Sequence, residues 1–114
     1  MNEKHNTYIS PNELIKAYIL GYFPMAESRD DKKLLFIDPE YRALIPIKKI
    51  HVSKSLSRLI KKKPFTITMN EAFPSVIKNC ATINRDNTWI NLEIEKLFIS
   101  LNEMKYAHSI ECWD

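Results

Sequence analysis

Residues 61–80 read KKKPFTITMNEAFPSVIKNC, and two hydrophobic periods meet inside that stretch. After Pro64, the residues Phe65-Thr66-Ile67-Thr68-Met69 alternate apolar and polar in the manner of a half-buried strand. Asn70 then reads as the cap of a helix carrying Phe73, Val76, Ile77 and Cys80, with Pro74 in the first turn, where proline is tolerated. Working outward, Ser10-Pro11-Asn12-Glu13 supplies a capping hydroxyl, a proline at the first helical position and a glutamate three residues after the cap. Leu14, Ile15, Tyr18 and Ile19 continue that helix, and Gly21 stops it. Residues 23–25 leave it extended, 26–33 read as an exposed loop, and the runs 34–37 and 43–47 predict two strands around Asp38-Pro39. Residues 81–90 form a polar connection, Asn91 opens a helix with Ile94, Leu97, Phe98 and Leu101 on one stripe, and 107–113 reads as a strand. On that strand Ile110 and Cys112 share one face and Trp113 takes the other, with no later segment to pair with it. Helices mixed with short, mostly nonconsecutive strands define an α+β class.

At 114 residues, 45% hydrophobic and 27% charged, the chain is one domain's length and can build a core, which excludes wholesale disorder. No apolar run reaches the ~18 to 20 residues of a membrane span, and residues 1–5 show no basic start to a leader, so a cytoplasmic protein with no membrane partner is expected. Cys80 and Cys112 are too few for a disulfide scaffold and lie in no zinc-type spacing, so no metal is expected. With Gly21 the single glycine, glycine-rich phosphate loops are excluded.

Charge is unevenly placed. Residues 41–70 carry eight basic groups and no acid, whereas the remaining 84 residues are net −5. Such a segment is suited to a polyanion, or is a solvated lysine-rich face. Read as a helix starting near Ser53, it puts Lys54, Arg58, Lys61 and Lys62 at i, i+4, i+7 and i+8, one stripe, with Leu56, Leu59 and Ile60 on the side left for packing. Unrelieved by acids, these cations repel one another, and a phosphate backbone would relieve that repulsion.

Catalytic constellations are not found. His51 and His108 have no local signature that would pair them with Cys80 or Cys112, and the carboxylates Glu93, Glu95, Glu103 and Glu111 read as solvated charges. Phe23, Phe36, Tyr41 and Trp89 are candidates for stacking on a base or for the core.

Five blocks, AYILGYFPMAE (17–27), DPEYRALIP (38–46), HVSKSL (51–56), NTWIN (87–91) and AHSIECWD (107–114), stand in an order and spacing that resembles the bacterial leucyl/phenylalanyl-tRNA–protein transferases. The resemblance implies an aminoacyltransferase that moves Leu or Phe from a charged tRNA to the N-terminal Arg or Lys of an acceptor protein and so marks the acceptor for degradation. It implies a small N-terminal α/β domain, here 1–80 with the basic helix, followed by the first helix and strand of an acetyltransferase-like domain, 81–114. By the same resemblance the basic cluster that grips tRNA is Lys54, Arg58, Lys61 and Lys62. The terminal adenosine would meet Met25, at a position where the family has tryptophan, and Trp89. Arg42 and Tyr18 match further recurrent positions, and Leu35-Phe36 stands where the family has a tryptophan pair. No cofactor and no catalytic residue are implied within this chain, because the side-chain pocket and the groups near the attacking amine would follow Asp114. The expectation is thus an incomplete, inactive portion that a second polypeptide would have to complement. The other reading is a non-catalytic tRNA- or RNA-binding remnant.

Overall fold

The computed structural model describes residues 9–84 and 86–114; residues 1–5, read above for a leader, lie outside them. Helix α1, Pro11–Ile19, begins as its sequence predicts. Ser10 Oγ accepts the Glu13 backbone N–H at 3.1 Å, and the Glu13 carboxylate accepts the Ser10 N–H at 3.2 Å. Two donors that a helix start leaves unpaired are thereby satisfied. The chain leaves the helix at Gly21, whose φ of +94° would strain any residue with a Cβ. Arg42 holds this turn: its guanidinium donates to the Gly21 carbonyl, lies 3.6 Å from the Asp38 carboxylate and sits 6.0 Å from the centre of the Phe23 ring. Tyr18 meets Phe98 edge to face, with ring centres 6.4 Å apart, which joins α1 to the last helix.

Strand β1, Phe23–Met25, pairs antiparallel with β2, Leu35–Ile37, so that Met25 lies opposite Leu35. The second strand expected at 43–47 does not form. Residues 41–52 are exposed throughout and contain only a 3-10 turn, Ile47–Lys49. An apolar run becomes a strand only where another backbone takes up its hydrogen bonds, and β2 already has its partner in β1.

Helix α2, Lys54–Lys61, forms where expected, capped by Ser53 Oγ, which accepts the Leu56 N–H at 3.2 Å. Its apolar side does not pack. Leu56, Leu59 and Ile60 are 45%, 51% and 57% exposed.

Strand β3, Thr66–Met69, pairs antiparallel with β4, Ile110–Trp113, in the register Thr66↔Trp113, Ile67↔Cys112, Thr68↔Glu111, Met69↔Ile110. The final strand therefore does have a partner, supplied from earlier in the chain, which corrects the expectation that it ends unpaired. Between the strands, Asn70 does not cap a helix. Its φ of +59° is left-handed, a conformation asparagine tolerates, and its side-chain oxygen accepts the Ser109 N–H at 2.9 Å and Asn102 Nδ2 at 3.1 Å. Its amide nitrogen donates to His108 Nδ1 at 2.9 Å. Helix α3, Phe73–Thr82, starts beyond it with Ala72 at the cap position and no side-chain cap.

Helix α4, Leu92–Glu103, carries the centre of the core. Leu14 and Ile94 are fully buried, packed with Ile9, Ala26, Leu34, Ala81, Ile90, Leu97 and Leu101. Asn91 is buried at the start of α4, where Oδ1 accepts the Ile94 N–H at 2.9 Å and Nδ2 donates to the Asp31 carbonyl at 2.8 Å. Arg29 adds a bond to the Ile90 carbonyl and an ion pair with Glu95 at 2.8 Å, so the 26–33 loop is tied down on α4. The radius of gyration is 16.8 Å, against about 13 Å for a compact domain of this length. The excess matches the largely exposed residues 41–65, which carry eight of the seventeen lysines and arginines away from the core.

Candidate functional site

The basic stripe lies on α2 and its end. Lys54 is the first helical residue, Arg58 and Lys61 are in the last turn, and Lys62 is the C-cap. All four are exposed, and among the described residues no ion pair involves them. Arg58 and Lys61 complement the negative end of the helix dipole, but Lys54 sits at the positive end, where a cation is unfavourable. The stripe therefore does not serve helix stability alone. It is a row of free cations on an arm whose surroundings contain no carboxylate in sequence from 41 to 70.

A second feature lies beside the β1–β2 ribbon. Met25, Ala26, Glu27, Leu35, Ile37, Asn87, Thr88 and Trp89 line an open cleft of about 440 Å³. The Ala26 N–H donates to the Trp89 carbonyl at 2.8 Å, which fastens the 87–89 segment to the end of β1. Thr88, buried below, accepts the Ile90 N–H at 3.1 Å and fixes the turn that leaves Trp89 half-exposed. The fold thus brings Met25 and Trp89, far apart in sequence, into one cleft. Leu35 adds an apolar wall, while its neighbour Phe36 packs against the core. A mostly apolar cleft with Glu27 as its one carboxylate suits a flat, uncharged ring better than a phosphate.

Glu111, which the sequence offers as a solvated charge, is not one. It lies on a strand, is buried, and is fully engaged: Oε1 accepts Thr68 Oγ1 at 2.7 Å and the Glu71 N–H at 3.1 Å, and Oε2 accepts the Ser109 hydroxyl. Trp113 Nε1 donates to the same Thr68 hydroxyl at 2.8 Å. The signal available in sequence was the i, i+2 spacing of Ser109 and Glu111 on a strand, which puts both on one face. The Ser109 bond above all, with those from Thr68 and the backbone, holds the Glu111 carboxyl below the ordinary value of 4.5, against the opposing effect of burial. A lowered folded value means the carboxylate stabilises the fold fully above the unfolded value and loses that contribution as pH falls through the folded one. The melting-temperature difference between the native chain and Glu111→Gln is expected to be largest near neutral pH and to shrink below about pH 4. A difference that stays constant down to about pH 3 would show that the charge is not what these bonds hold.

His51 is exposed, and His108 bonds Asn70 rather than a thiol. Cys80 and Cys112 are free and exposed. Among the described residues no three metal-ligating side chains come together.

An α+β chain with a free cationic helix and a separate apolar cleft edged by Trp89 carries two features of the kind nucleic-acid-binding proteins use. Sequence comparison is more specific. The profile of the leucyl/phenylalanyl-tRNA protein transferase family matches residues 44–114, and that of the family's N-terminal domain matches residues 8–40. The chain is 46% identical over 107 residues to the leucyl/phenylalanyl-tRNA–protein transferase of Rhodospirillum rubrum, covering 92% of this chain and 50% of that protein. It is 44% identical over 107 residues to that of Novosphingobium aromaticivorans, covering 92% and 41%. The chain belongs to the leucyl/phenylalanyl-tRNA protein transferase family, and it spans about half the length of the curated relatives it matches.

Proposed function

We propose that this chain is the tRNA-holding part of an aminoacyl-tRNA–protein transferase, one that moves Leu or Phe from charged tRNA to the N-terminal Arg or Lys of an acceptor protein in the cytoplasm. In this reading residues 1–80 form the N-terminal α/β domain, and 81–114 begin an acetyltransferase-like domain. Lys54, Arg58, Lys61 and Lys62 grip the tRNA backbone, and Met25 and Trp89 receive its terminal adenosine. The observation that carries the reading is the meeting of Met25 and Trp89 in one cleft, in a chain whose exposed arm presents an unpaired cationic stripe.

The reaction asks mainly for orientation. An α-amine attacks an already activated ester, the ester C–O bond to the tRNA breaks as the amide forms, and dipoles stabilise the developing oxyanion. Holding the tRNA end is the part this chain's residues supply. A second polypeptide, carrying the counterpart of the rest of the relatives, would complete the acceptor side. The alternative reading is a non-catalytic tRNA- or RNA-binding module.

Trp89→Ala tests the cleft. If Trp89 stacks on the adenine, the substitution is expected to weaken binding of an aminoacyl-adenosine analogue by about 1–3 kcal/mol. Because the side chain is 37% exposed, the melting temperature is expected to change little. Unchanged binding with a collapsed melting transition would assign Trp89 to the core instead.

A further inference from the structure

Glu27 carries the one formal charge lining the cleft that holds Met25 and Trp89, and stacking an uncharged ring makes no use of it. The neutral polar side chains of the cleft are engaged locally: Asn87 Oδ1 accepts the Thr88 N–H at 2.9 Å, and Thr88 Oγ1 accepts the Ile90 N–H at 3.1 Å. Arg29, the arginine nearest in sequence, is turned to Glu95 and the Ile90 carbonyl instead. Among the described residues no ion pair involves Glu27. Its backbone is fixed on both sides, because the Ala26 N–H is bonded to the Trp89 carbonyl at 2.8 Å and Ser28 Oγ accepts the Asp31 N–H at 3.2 Å. The carboxylate is thus set at the cleft before any ligand arrives.

A carboxylate only accepts hydrogen bonds, and beside apolar walls its charge acts more strongly than in water, so its natural partner is a cationic donor. In the proposed function the phosphates go to the cationic arm and the adenine is neutral. The cation at the end of a charged tRNA is the α-ammonium group of the esterified amino acid, largely protonated near neutral pH. We infer that Glu27 is a specificity-determining residue that pairs with this α-ammonium group beside the adenosine. The inference rests on the proposed cleft reading and adds the group that tells charged tRNA from uncharged. Neither the stripe nor Trp89 makes that distinction, since phosphates and adenine are the same in both. N-acylated donors are disfavoured as well, because their nitrogen carries no charge and their carbonyl would face the carboxylate.

The 114-residue chain is titrated calorimetrically with adenosine, with 3′-phenylalanylamido-adenosine, and with the N-acetyl and N6-dimethyl forms of the latter. The native chain is expected to bind the free-amine probe about tenfold or more tightly than its N-acetyl form, the scale of a charge-assisted hydrogen bond. Glu27→Gln keeps the side-chain length and removes the charge. It is expected to lose that preference while binding adenosine as the native chain does, with unchanged circular dichroism, since Glu27 is exposed. Equal binding of the free-amine and N-acetyl probes by the native chain overturns the inference, as does a preference that survives Glu27→Gln. A variant that weakens adenosine as much as the free-amine probe, or whose effect vanishes with the N6-dimethyl ring, would assign the carboxylate to the base and overturn it too. Adenosine binding that Trp89→Ala weakens reports on the cleft itself, so the α-ammonium pairing can fail while the cleft reading stands; absence of adenosine binding to the native chain would overturn both.

Discussion

Reversing Lys54 and Arg58 to Glu is expected to remove most of the chain's affinity for tRNA at low salt while leaving its helix content unchanged. Four cations contacting about four phosphates give a slope of about −3 to −4 in log affinity against log salt, so native binding should weaken roughly 100-fold between about 50 and 200 mM. Removing two of the four should bring the slope to about −2 and add repulsion at two phosphates. The fold should tolerate the change, because both side chains are exposed and face away from Leu56, Leu59 and Ile60. The dipole contributions also oppose each other: a glutamate at the first helical position is favourable and one in the last turn unfavourable, each by a few tenths of a kcal/mol. Filter-binding or fluorescence titrations across salt, with far-ultraviolet circular dichroism of both proteins, check the outcome. Binding that ignores salt, or that survives the reversal intact, would show that the stripe is a solvated face.

Ile94→Ala is expected to cost about 2–5 kcal/mol, the usual penalty for losing a fully buried aliphatic side chain and leaving a cavity. Ile94 is fully buried among Leu14, Leu97 and Leu101, and its own N–H is the donor that Asn91 caps, so the surrounding helix start has little room to collapse. Against a total stability of about 5–15 kcal/mol such a loss is large, and the melting temperature should fall by about 10 °C or more. Leu56→Ala, an aliphatic deletion of similar size, should cost under about 1 kcal/mol in the isolated chain, since Leu56 is 45% exposed. Urea titrations of the two variants separate them. Equal losses would show that the apolar side of α2 is packed after all.

That contrast marks where local reading stops. Both α2 and α4 carry apolar stripes at helical spacing, and periodicity alone puts Leu56 and Ile94 on equal footing. Helix starts were legible because a cap is made within three residues: Ser10 with Glu13, Ser53 with Leu56, Asn91 with Ile94. The cationic stripe was legible for the same reason, since i, i+4, i+7 spacing is a property of the helix alone. Family membership, too, lay in ordered short blocks that need no fold to be read. Asn70 misled because a capping residue type also suits a left-handed turn, and the choice was made by Asn102, His108 and Ser109, all remote in sequence.

Three matters were decided only by long-range pairing. The 43–47 run is as apolar as 34–37, yet only the latter finds a strand to bond with, so one became β2 and the other an exposed arm. Glu111 became a buried, hydrogen-bonded carboxylate because β4 returned to β3 and placed it opposite Thr68. Met25 and Trp89 share a cleft because the backbone of Ala26 bonds that of Trp89. Local chemistry acts over three or four residues and is written in the order of the chain. Which strand, hydroxyl or ring meets which depends on contacts between segments that order does not bring together, and the tertiary structure alone supplies them.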